Sequence, residues 1–219
     1  MTFDATLIKV IGFDLDQTLY PKSPKIDESI QKYIYEKIAE HKNCTQEEAR
    51  TLFTDLYKEG CGLSGSKTLE MLEIPNAQEI VQEALERADI ASSLIPNQKT
   101  LELLHTLKKK YGNIDLITGS DVSNTTKKLE KLSIPKELFN YLITGEIATK
   151  STGEAYILWF SKYPHLRPNE FLYIGDRVSS DYEAPDALGI KTILVNIKKE
   201  DPLLPVLQLS SLLDLKKIL

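Results

Sequence analysis

The chain has 219 residues, enough for one large domain or for a core with a smaller insert, and it can bury a hydrophobic core. Its net charge of -5 and pI near 5.4 argue against a nucleic-acid-binding protein, which normally carries a basic surface. No apolar run approaches the ~20 residues that a membrane-spanning helix needs. We therefore expect a soluble, cytoplasmic protein.

The chain opens with a predicted buried strand at residues 7–14. Strands of soluble proteins do not usually end in two carboxylates, yet Asp14 and Asp16 stand here with one residue between them. Side chains two positions apart point to the same side of a strand, so both carboxylates are expected on one face. This pair is the first candidate for catalytic chemistry.

The long segment after the first strand shows helical patterns and no convincing strand pattern. A helix is predicted at 27–41, with Asp27 as its N-cap. The next helix is expected within 43–59, where Thr45 and Glu48 fit a capping box. A glycine-rich loop at 59–65 and a further helix at 76–90 complete the segment.

From Ile95 onward, predicted helices and strands alternate. The helices are expected at 97–110, 122–132, 152–163 and 180–188, and the strands at 113–118, 140–144, 170–175 and 191–196, followed by a strand at "VLQL" and a closing helix. Such alternation predicts the α/β class, with a Rossmann-like parallel sheet covered by helices on both faces. Residues 1–20 and 96–219 would form this catalytic core, and residues 21–95 would form an all-helical cap domain inserted after the first strand.

The residues at the predicted strand ends are the candidates for the site, because an open parallel sheet binds ligands at the carboxyl ends of its strands. They are Asp14 and Asp16 after the first strand, Thr118 and Gly119 after the second, Lys150 beyond the third, and Asp176 and Asp181 after the fourth. Carboxylates without histidine suit a hard cation with oxygen ligands, Mg²⁺ before zinc. Thr118 and the amides that lead into the next helix would seat a phosphate, and Lys150 would supply a positive charge for it.

The motifs that carry these residues resemble those of the haloacid dehalogenase-like superfamily of hydrolases. "DLDQT" resembles its first motif, DxDxT, and "LITG" its second. The lysine of "IATKSTGEAY" and the acids of "IGDRVSSD" resemble the third motif and the fourth, GDxxxxD. Two positions depart from the pattern: Ser151 stands where Pro is common, and Ser180 stands where Asn is common.

The resemblance implies a role for each site residue. Asp14 would be the nucleophile and a metal ligand. Asp16 would protonate the leaving oxygen, then deprotonate the hydrolytic water, and would give the metal its backbone carbonyl. Thr118 and Lys150 would bind the phosphoryl group, next to Gly119. The implied cofactor is Mg²⁺, held by Asp14, Asp16, Asp176 and Asp181, the last of them directly or through water.

The helical insert carries a finer resemblance, to the pyrimidine 5′-nucleotidase branch. "DLDQTLYP" and "EEARTLFTDLYKEGCGLSG" are similar to that branch, with Tyr57, Gly60, Gly62 and Leu63 at the matching positions. A cap hinged at both ends is expected to close on the active site. Tyr57 and Leu63 would then help to select the substrate.

The expected function is a Mg²⁺-dependent phosphohydrolase that acts through an aspartyl-phosphate on a small phosphomonoester, with a nucleoside 5′-monophosphate as one candidate. A phosphomutase or another phosphotransferase would share the Asp14–Asp16 pair and stays open. A non-catalytic protein that binds Mg²⁺, phosphate or a partner also stays open. The expected partner is a small phosphorylated metabolite, not a nucleic acid polymer or a membrane, and the chain would act as a monomer or a homodimer.

Overall fold

The computed structural model describes residues 5–21, 23–59, 65–88 and 90–219. The chain divides into two compact units, one formed by Met1–Pro21 together with Leu94–Leu219, and the other by Lys22–Ser93. Among the helices within the described ranges, none has the length and apolar character needed to cross a membrane.

The larger unit is built on a six-stranded sheet in which every pairing is parallel. Its strands are β1 (Val10–Phe13), β2 (Asn113–Ile117), β3 (Leu142–Ile143), β4 (Phe171–Gly175), β5 (Lys191–Leu194) and β6 (Leu207–Gln208). The spatial order is β3-β2-β1-β4-β5-β6, which is that of a doubly wound, Rossmann-like sheet. The predicted α/β class is therefore confirmed.

The strand order places the point of reversal between β1 and β4. The chain leaves β1 for β2 and β3 on one side, then returns to β4, β5 and β6 on the other. Ligands of such sheets bind at this reversal, beyond the carboxyl ends of the two strands. Both strands are buried along their whole length, as expected for the centre of a parallel sheet.

Within its described residues, the smaller unit contains four α-helices and no strand. They are α1 (Pro24–Lys42), α2 (Gln46–Glu59), α3 (Gly65–Met71) and α4 (Ala77–Arg87). Ile34, Ile38, Phe53 and Leu69 form the centre of its core. Much of the predicted glycine-rich loop, including Gly60, Gly62 and Leu63, lies outside the described residues.

The helix starts of this unit show one correct and one wrong prediction. The capping box of α2 is confirmed, since Glu48 N–H donates to Thr45 Oγ1 at 3.2 Å and Thr45 N–H donates to Glu48 Oε2 at 2.8 Å. The predicted N-cap Asp27 is wrong, because α1 already begins at Pro24 after Ser23. Proline suits the first helical position, where its missing N–H has no helical partner to lose.

In the part of the larger unit that the structure describes, the α-helices are α5 (Gln98–Tyr111), α6 (Val122–Lys131), α7 (Glu154–Ser161) and α8 (Ala184–Asp186). Several predicted elements differ from the structure. Residues 5–7 form a 3₁₀ turn before β1, and the helix expected at 180–188 is a π-helical turn at Ser179–Glu183 followed by the short α8. The closing helix is a 3₁₀ helix at Leu212–Lys217.

Candidate active site

The ends of β1 and β4 place two acids in direct contact with a lysine that follows β3. Lys150 Nζ lies 2.6 Å from Asp14 Oδ1 and 2.6 Å from Asp181 Oδ1. All three side chains are less than a tenth exposed. Because the buried ammonium group is paired with two carboxylates, the cluster keeps a net negative charge even before further acids are considered.

Asp176 adds a third carboxylate to this cluster. One side-chain oxygen of each of Asp14, Asp176 and Asp181 lies within 4.8 Å of the others. Asp176 Oδ1 is buried and has no hydrogen-bond partner among the residues that the structure describes. A buried polar atom without a partner is costly, so this oxygen is a candidate ligand atom for a cation.

Asp181 is held by its own loop. Its Oδ2 accepts the backbone N–H groups of Asp176 at 3.1 Å and Arg177 at 3.0 Å, and its Oδ1 accepts the Ser180 hydroxyl at 3.0 Å. The π-helical turn folds this carboxylate back over the end of β4. Glycine is required at position 175, because a Cβ there would lie 2.4 Å from the Asp181 side chain.

The two departures from the family pattern affect this loop differently. Ser180 takes part in the site directly, as the hydroxyl donor to Asp181. Its carbonyl also accepts the Tyr156 hydroxyl at 2.5 Å, which ties the loop to α7. Ser151 is exposed, and nothing in the structure links it to the carboxylates.

Asp16 has different neighbours from Asp14. Its Oδ1 lies 2.6 Å from Lys128 Nζ and also accepts the Tyr20 hydroxyl, and its Oδ2 accepts the Ser120 hydroxyl at 2.7 Å. The side chain of Asp16 is not part of the three-carboxylate cluster. Any metal contact from this residue would therefore come through its backbone carbonyl, as the resemblance implies.

The end of β2 contributes Thr118 and Gly119. Thr118 is buried, its N–H donates to the Ile143 carbonyl at 2.9 Å, and its Oγ1 accepts the Ser120 N–H at 3.1 Å. It does not cap α6, because Asp121 does so by accepting the Asn124 N–H at 2.7 Å. Thr118 thus shapes the turn that carries Ser120 towards Asp16.

Several residues that contact the acids were not predicted from the sequence as site residues, Tyr20 and Ser180 among them. Lys128 and Ser120 bind Asp16, and Thr18 donates its hydroxyl to Asp14 Oδ2 at 3.3 Å. The spacing of α6 held a signal for one of them: Thr125, Lys128 and Leu129 form its buried face, so the helical period marks Lys128 as inward-facing.

The predicted substrate-selecting residues lie in the smaller unit. Tyr57 is half-buried and stacks on Phe53 with ring centroids 5.3 Å apart. Leu63 lies outside the described residues. The role predicted for these two residues stays a prediction.

The electrostatics of the site separate the four acids into two pairs. Burial raises the pKa of Asp14 and raises that of Asp176 to about 7, with further repulsion from the neighbouring carboxylates. Burial acts in the same direction on Asp16 and Asp181. There, however, Lys128 and Lys150 respectively outweigh it and hold each pKa below its usual value.

A divalent cation fits the first pair. Asp14 and Asp176 carry negative charge that burial and mutual repulsion destabilise, and Asp176 Oδ1 has no partner among the described residues. Carboxylate oxygens without nitrogen or sulfur donors suit a hard cation. Both oxygens of Asp181 already accept hydrogen bonds, so this acid fits better as a support than as a direct ligand.

Comparison with known proteins agrees with this geometry. A family model described as haloacid dehalogenase-like hydrolase matches residues 11–195. Two curated relatives are glyceraldehyde 3-phosphate phosphatases. The one from Methanocaldococcus jannaschii is 25% identical, with 86% of this chain and 85% of the relative covered. The one from Methanopyrus kandleri is 21% identical, with 91% and 88% covered.

Three solved structures share the fold. A haloacid dehalogenase (HAD) phosphatase from Thermococcus onnurineus has a TM-score of 0.65 at 21% identity, covering 96% of this chain and 97% of its own. A Thermotoga maritima protein assigned as a beta-phosphoglucomutase has a TM-score of 0.63 at 22% identity, covering 97% and 100%. A Bacillus subtilis protein assigned as a HAD hydrolase, bound to magnesium, has a TM-score of 0.62 at 16% identity, covering 96% and 98%.

Proposed function

The chain belongs to the haloacid dehalogenase-like hydrolase family, and from this premise we propose that it is a Mg²⁺-dependent phosphohydrolase acting on a small phosphomonoester. The observation that carries the proposal is the contact between Lys150 Nζ and Asp14 Oδ1 beside the unpartnered Asp176 Oδ1. A carboxylate nucleophile, a fixed positive charge and an oxygen that can bind a cation meet at the carboxyl edge of the sheet. Phosphoryl transfer requires these groups together.

In the first half of the reaction, an oxygen of Asp14 attacks phosphorus and the bond to the ester oxygen breaks. Asp16, which its neighbours hold as a carboxylate, first takes a proton from the phosphomonoester monoanion and passes it to the departing oxygen, and Asp14 is left as an aspartyl-phosphate. Lys150 holds Asp14 in position and, because Asp14 and Asp181 raise its pKa against the effect of burial, stays positively charged beside the phosphoryl group.

In the second half, a water attacks the same phosphorus and the bond to Asp14 breaks. Asp16 takes a proton from that water and then gives it up to solvent, which returns both acids to the carboxylate form as phosphate is released. The carboxylate of Asp16 suits this step, because all three of its side-chain neighbours are hydrogen-bond donors.

Mg²⁺ is the proposed cofactor, and Asp14 and Asp176 would hold it through their side chains, with the Asp16 carbonyl as a further ligand and Asp181 in support. When bound, the ion supplies positive charge that offsets the negative charge of the acids and of the phosphoryl oxygens. The magnesium in the Bacillus subtilis neighbour supports this choice of metal.

The substrate is proposed as a small phosphomonoester, with two classes to separate. The motif of the helical insert favours a nucleoside 5′-monophosphate, whereas the names of the two curated relatives favour a short sugar phosphate. We expect Tyr57 to contribute to this choice. Replacing it with alanine should change the ratio of rates between the two classes while leaving a small aryl phosphate nearly unchanged; equal losses on every ester would contradict the role.

The test of the proposed function is phosphate release from a panel of esters, with Mg²⁺ and with a chelator. The panel contains an aryl phosphate, purine and pyrimidine nucleoside monophosphates, glyceraldehyde 3-phosphate and hexose phosphates. We expect release that depends on Mg²⁺ and is lost with the chelator. Isomerisation of a hexose phosphate without net release would identify a mutase instead. A folded protein that binds Mg²⁺ and turns over nothing would contradict any catalytic role.

A further inference from the structure

We propose that Lys128 is a positioning residue that holds Asp16 in place as the base for hydrolysis of the aspartyl-phosphate. The inference rests on the proposed function, because it presumes that Asp16 accepts the proton of the attacking water. It adds to that function a residue that lies outside the four motifs.

The position of Lys128 follows from the way α6 begins. Asp121 caps the helix, and the buried face that results presents Thr125, Lys128 and Leu129 towards the protein. Lys127 and Lys131, on the same helix, are exposed. One lysine of three is therefore directed inward by helical spacing alone.

An inward lysine has to be paired, since burying an ammonium group without a partner is strongly unfavourable. Lys128 Nζ lies 2.6 Å from Asp16 Oδ1 and 2.8 Å from Ser120 Oγ, with only 7% of the lysine side chain exposed. Ser120 Oγ in turn donates to Asp16 Oδ2 at 2.7 Å. Lys128 thus binds one oxygen of the Asp16 carboxylate, and Ser120 binds the other.

This arrangement fixes the orientation of Asp16. A carboxylate held by two donors cannot rotate freely about its last bond without breaking one of these contacts, and Tyr20 adds a third donor. General base catalysis depends on placing the acceptor oxygen within hydrogen-bond distance of the attacking water. Misplacement by about 1 Å costs on the order of 10²-fold in rate, so the supporting lysine is expected to matter although it does not touch the substrate.

The experiment is rapid-mixing kinetics with an aryl phosphate and Mg²⁺, on wild type, Lys128→Met, Lys128→Arg and the matched surface variant Lys131→Met. An aryl alcohol leaves readily without help from an acid, so formation of the aspartyl-phosphate is expected to survive in Lys128→Met. Its hydrolysis should slow by about 10²-fold, the lower end of what general base catalysis contributes. The signature is a retained burst of aryl alcohol, a slow steady state, a lower KM and phosphoenzyme trapped on acid quenching.

Further variants test the contact between Lys128 and Asp16 independently. Lys128→Arg keeps a cationic donor and should recover much of the steady-state rate, whereas Lys131→Met should match wild type. Ser120→Ala removes the hydroxyl that donates to Asp16 Oδ2 and should show the same burst signature to a smaller extent. This variant keeps the test decisive if Lys128→Met does not fold.

Two results would overturn the inference. One is a steady-state rate of Lys128→Met equal to that of Lys131→Met. The other is loss of the burst and the steady state together without trapped phosphoenzyme, which would make the lysine a structural residue only. If wild type releases no phosphate from any ester, the proposed function fails as well, so the two failures are distinguishable.

Discussion

Two buried carboxylates of the larger unit, Asp115 and Asp176, contrast in how their oxygens are satisfied. Asp115 stands in the middle of β2, where it accepts hydrogen bonds from Trp159 Nε1 at 2.7 Å, the Tyr163 hydroxyl at 2.8 Å and the Tyr141 N–H at 3.0 Å. Asp176 stands at the end of β4, and its Oδ1 has no partner within the described ranges.

The contrast shows that burial by itself does not identify a functional acid. Burial raises the pKa of both side chains, so a shifted pKa would have selected Asp115 along with Asp176. The unsatisfied oxygen is what distinguishes them. Donors from the protein bind both oxygens of Asp115, whereas Asp176 keeps one oxygen available for a ligand.

The largest effect is expected at the acid that would react. Asp14→Asn should lower kcat by about 10⁴-fold or more, because the amide cannot form the acyl phosphate. Its unfolding free energy should stay close to that of wild type, since the change removes a buried charge whose pKa is raised. Phosphate release and chemical denaturation together test this, with Asp186→Asn, an exposed acid on α8, as the control. Loss of folding along with turnover would leave the contrast between site and core unsupported.

Asp176→Asn should separate metal binding from stability. Wild type is expected to gain thermal stability with Mg²⁺, by about 2.7 kcal/mol at a hundredfold excess over Kd, whereas the variant should gain little. Without Mg²⁺ the variant should be at least as stable as wild type, because the amide ends the repulsion with Asp14. Thermal unfolding with and without Mg²⁺ measures both. A variant that still gains stability from Mg²⁺ would show that Asp176 is not the missing ligand.

Asp115→Asn should lower stability and leave the response to Mg²⁺ unchanged, the reverse of what is expected for Asp176→Asn. An amide offers one acceptor oxygen in place of two and turns an N–H group towards donors, so the unfolding free energy should fall by about 2 kcal/mol. The gain in stability from Mg²⁺ and the kcat of the folded protein should match wild type. Denaturant unfolding and phosphate release provide the two measurements. A large loss of kcat in this variant, with the fold intact, would contradict the view that Asp115 has a structural role only and Asp176 a role in the site.

Much of the site was predictable because the topology imposes it. Strands that alternate with helices give a parallel sheet, and the acids and lysine after each strand must then meet at one edge, as Asp14, Lys150 and Asp176 do. The predicted edges of elements were less accurate. The turn at Ser179–Glu183 is π-helical rather than α-helical, and no periodic pattern of five residues could have indicated this.

The contacts that the sequence did not predict come from side chains whose role depends on three-dimensional neighbours. In the sequence, Lys128 does not differ from an exposed helical lysine. Its position beside Thr125 and Leu129 indicates that it faces inward, once these two residues are used to orient α6. Asp115 gave a clearer signal, a charged residue between the apolar Ile114 and Leu116 of β2, but its partners Trp159 and Tyr163 lie far along the chain. Long-range partners of this kind cannot be paired from one sequence.

The smallest expected effect concerns how the stability due to Asp115 changes with pH. Burial raises the pKa of this acid against the opposing effect of its three hydrogen bonds, so the folded state keeps the proton to a higher pH than the unfolded state does. The corresponding stabilisation is complete below the unfolded pKa of about 3.9 and is lost as pH rises through the folded value. The difference in unfolding free energy between wild type and Asp115→Asn should therefore shrink as pH rises across that window. Denaturant titrations at a series of pH values would measure it. A difference that grows with pH would mean that the hydrogen bonds outweigh burial and that Asp115 is held as a carboxylate.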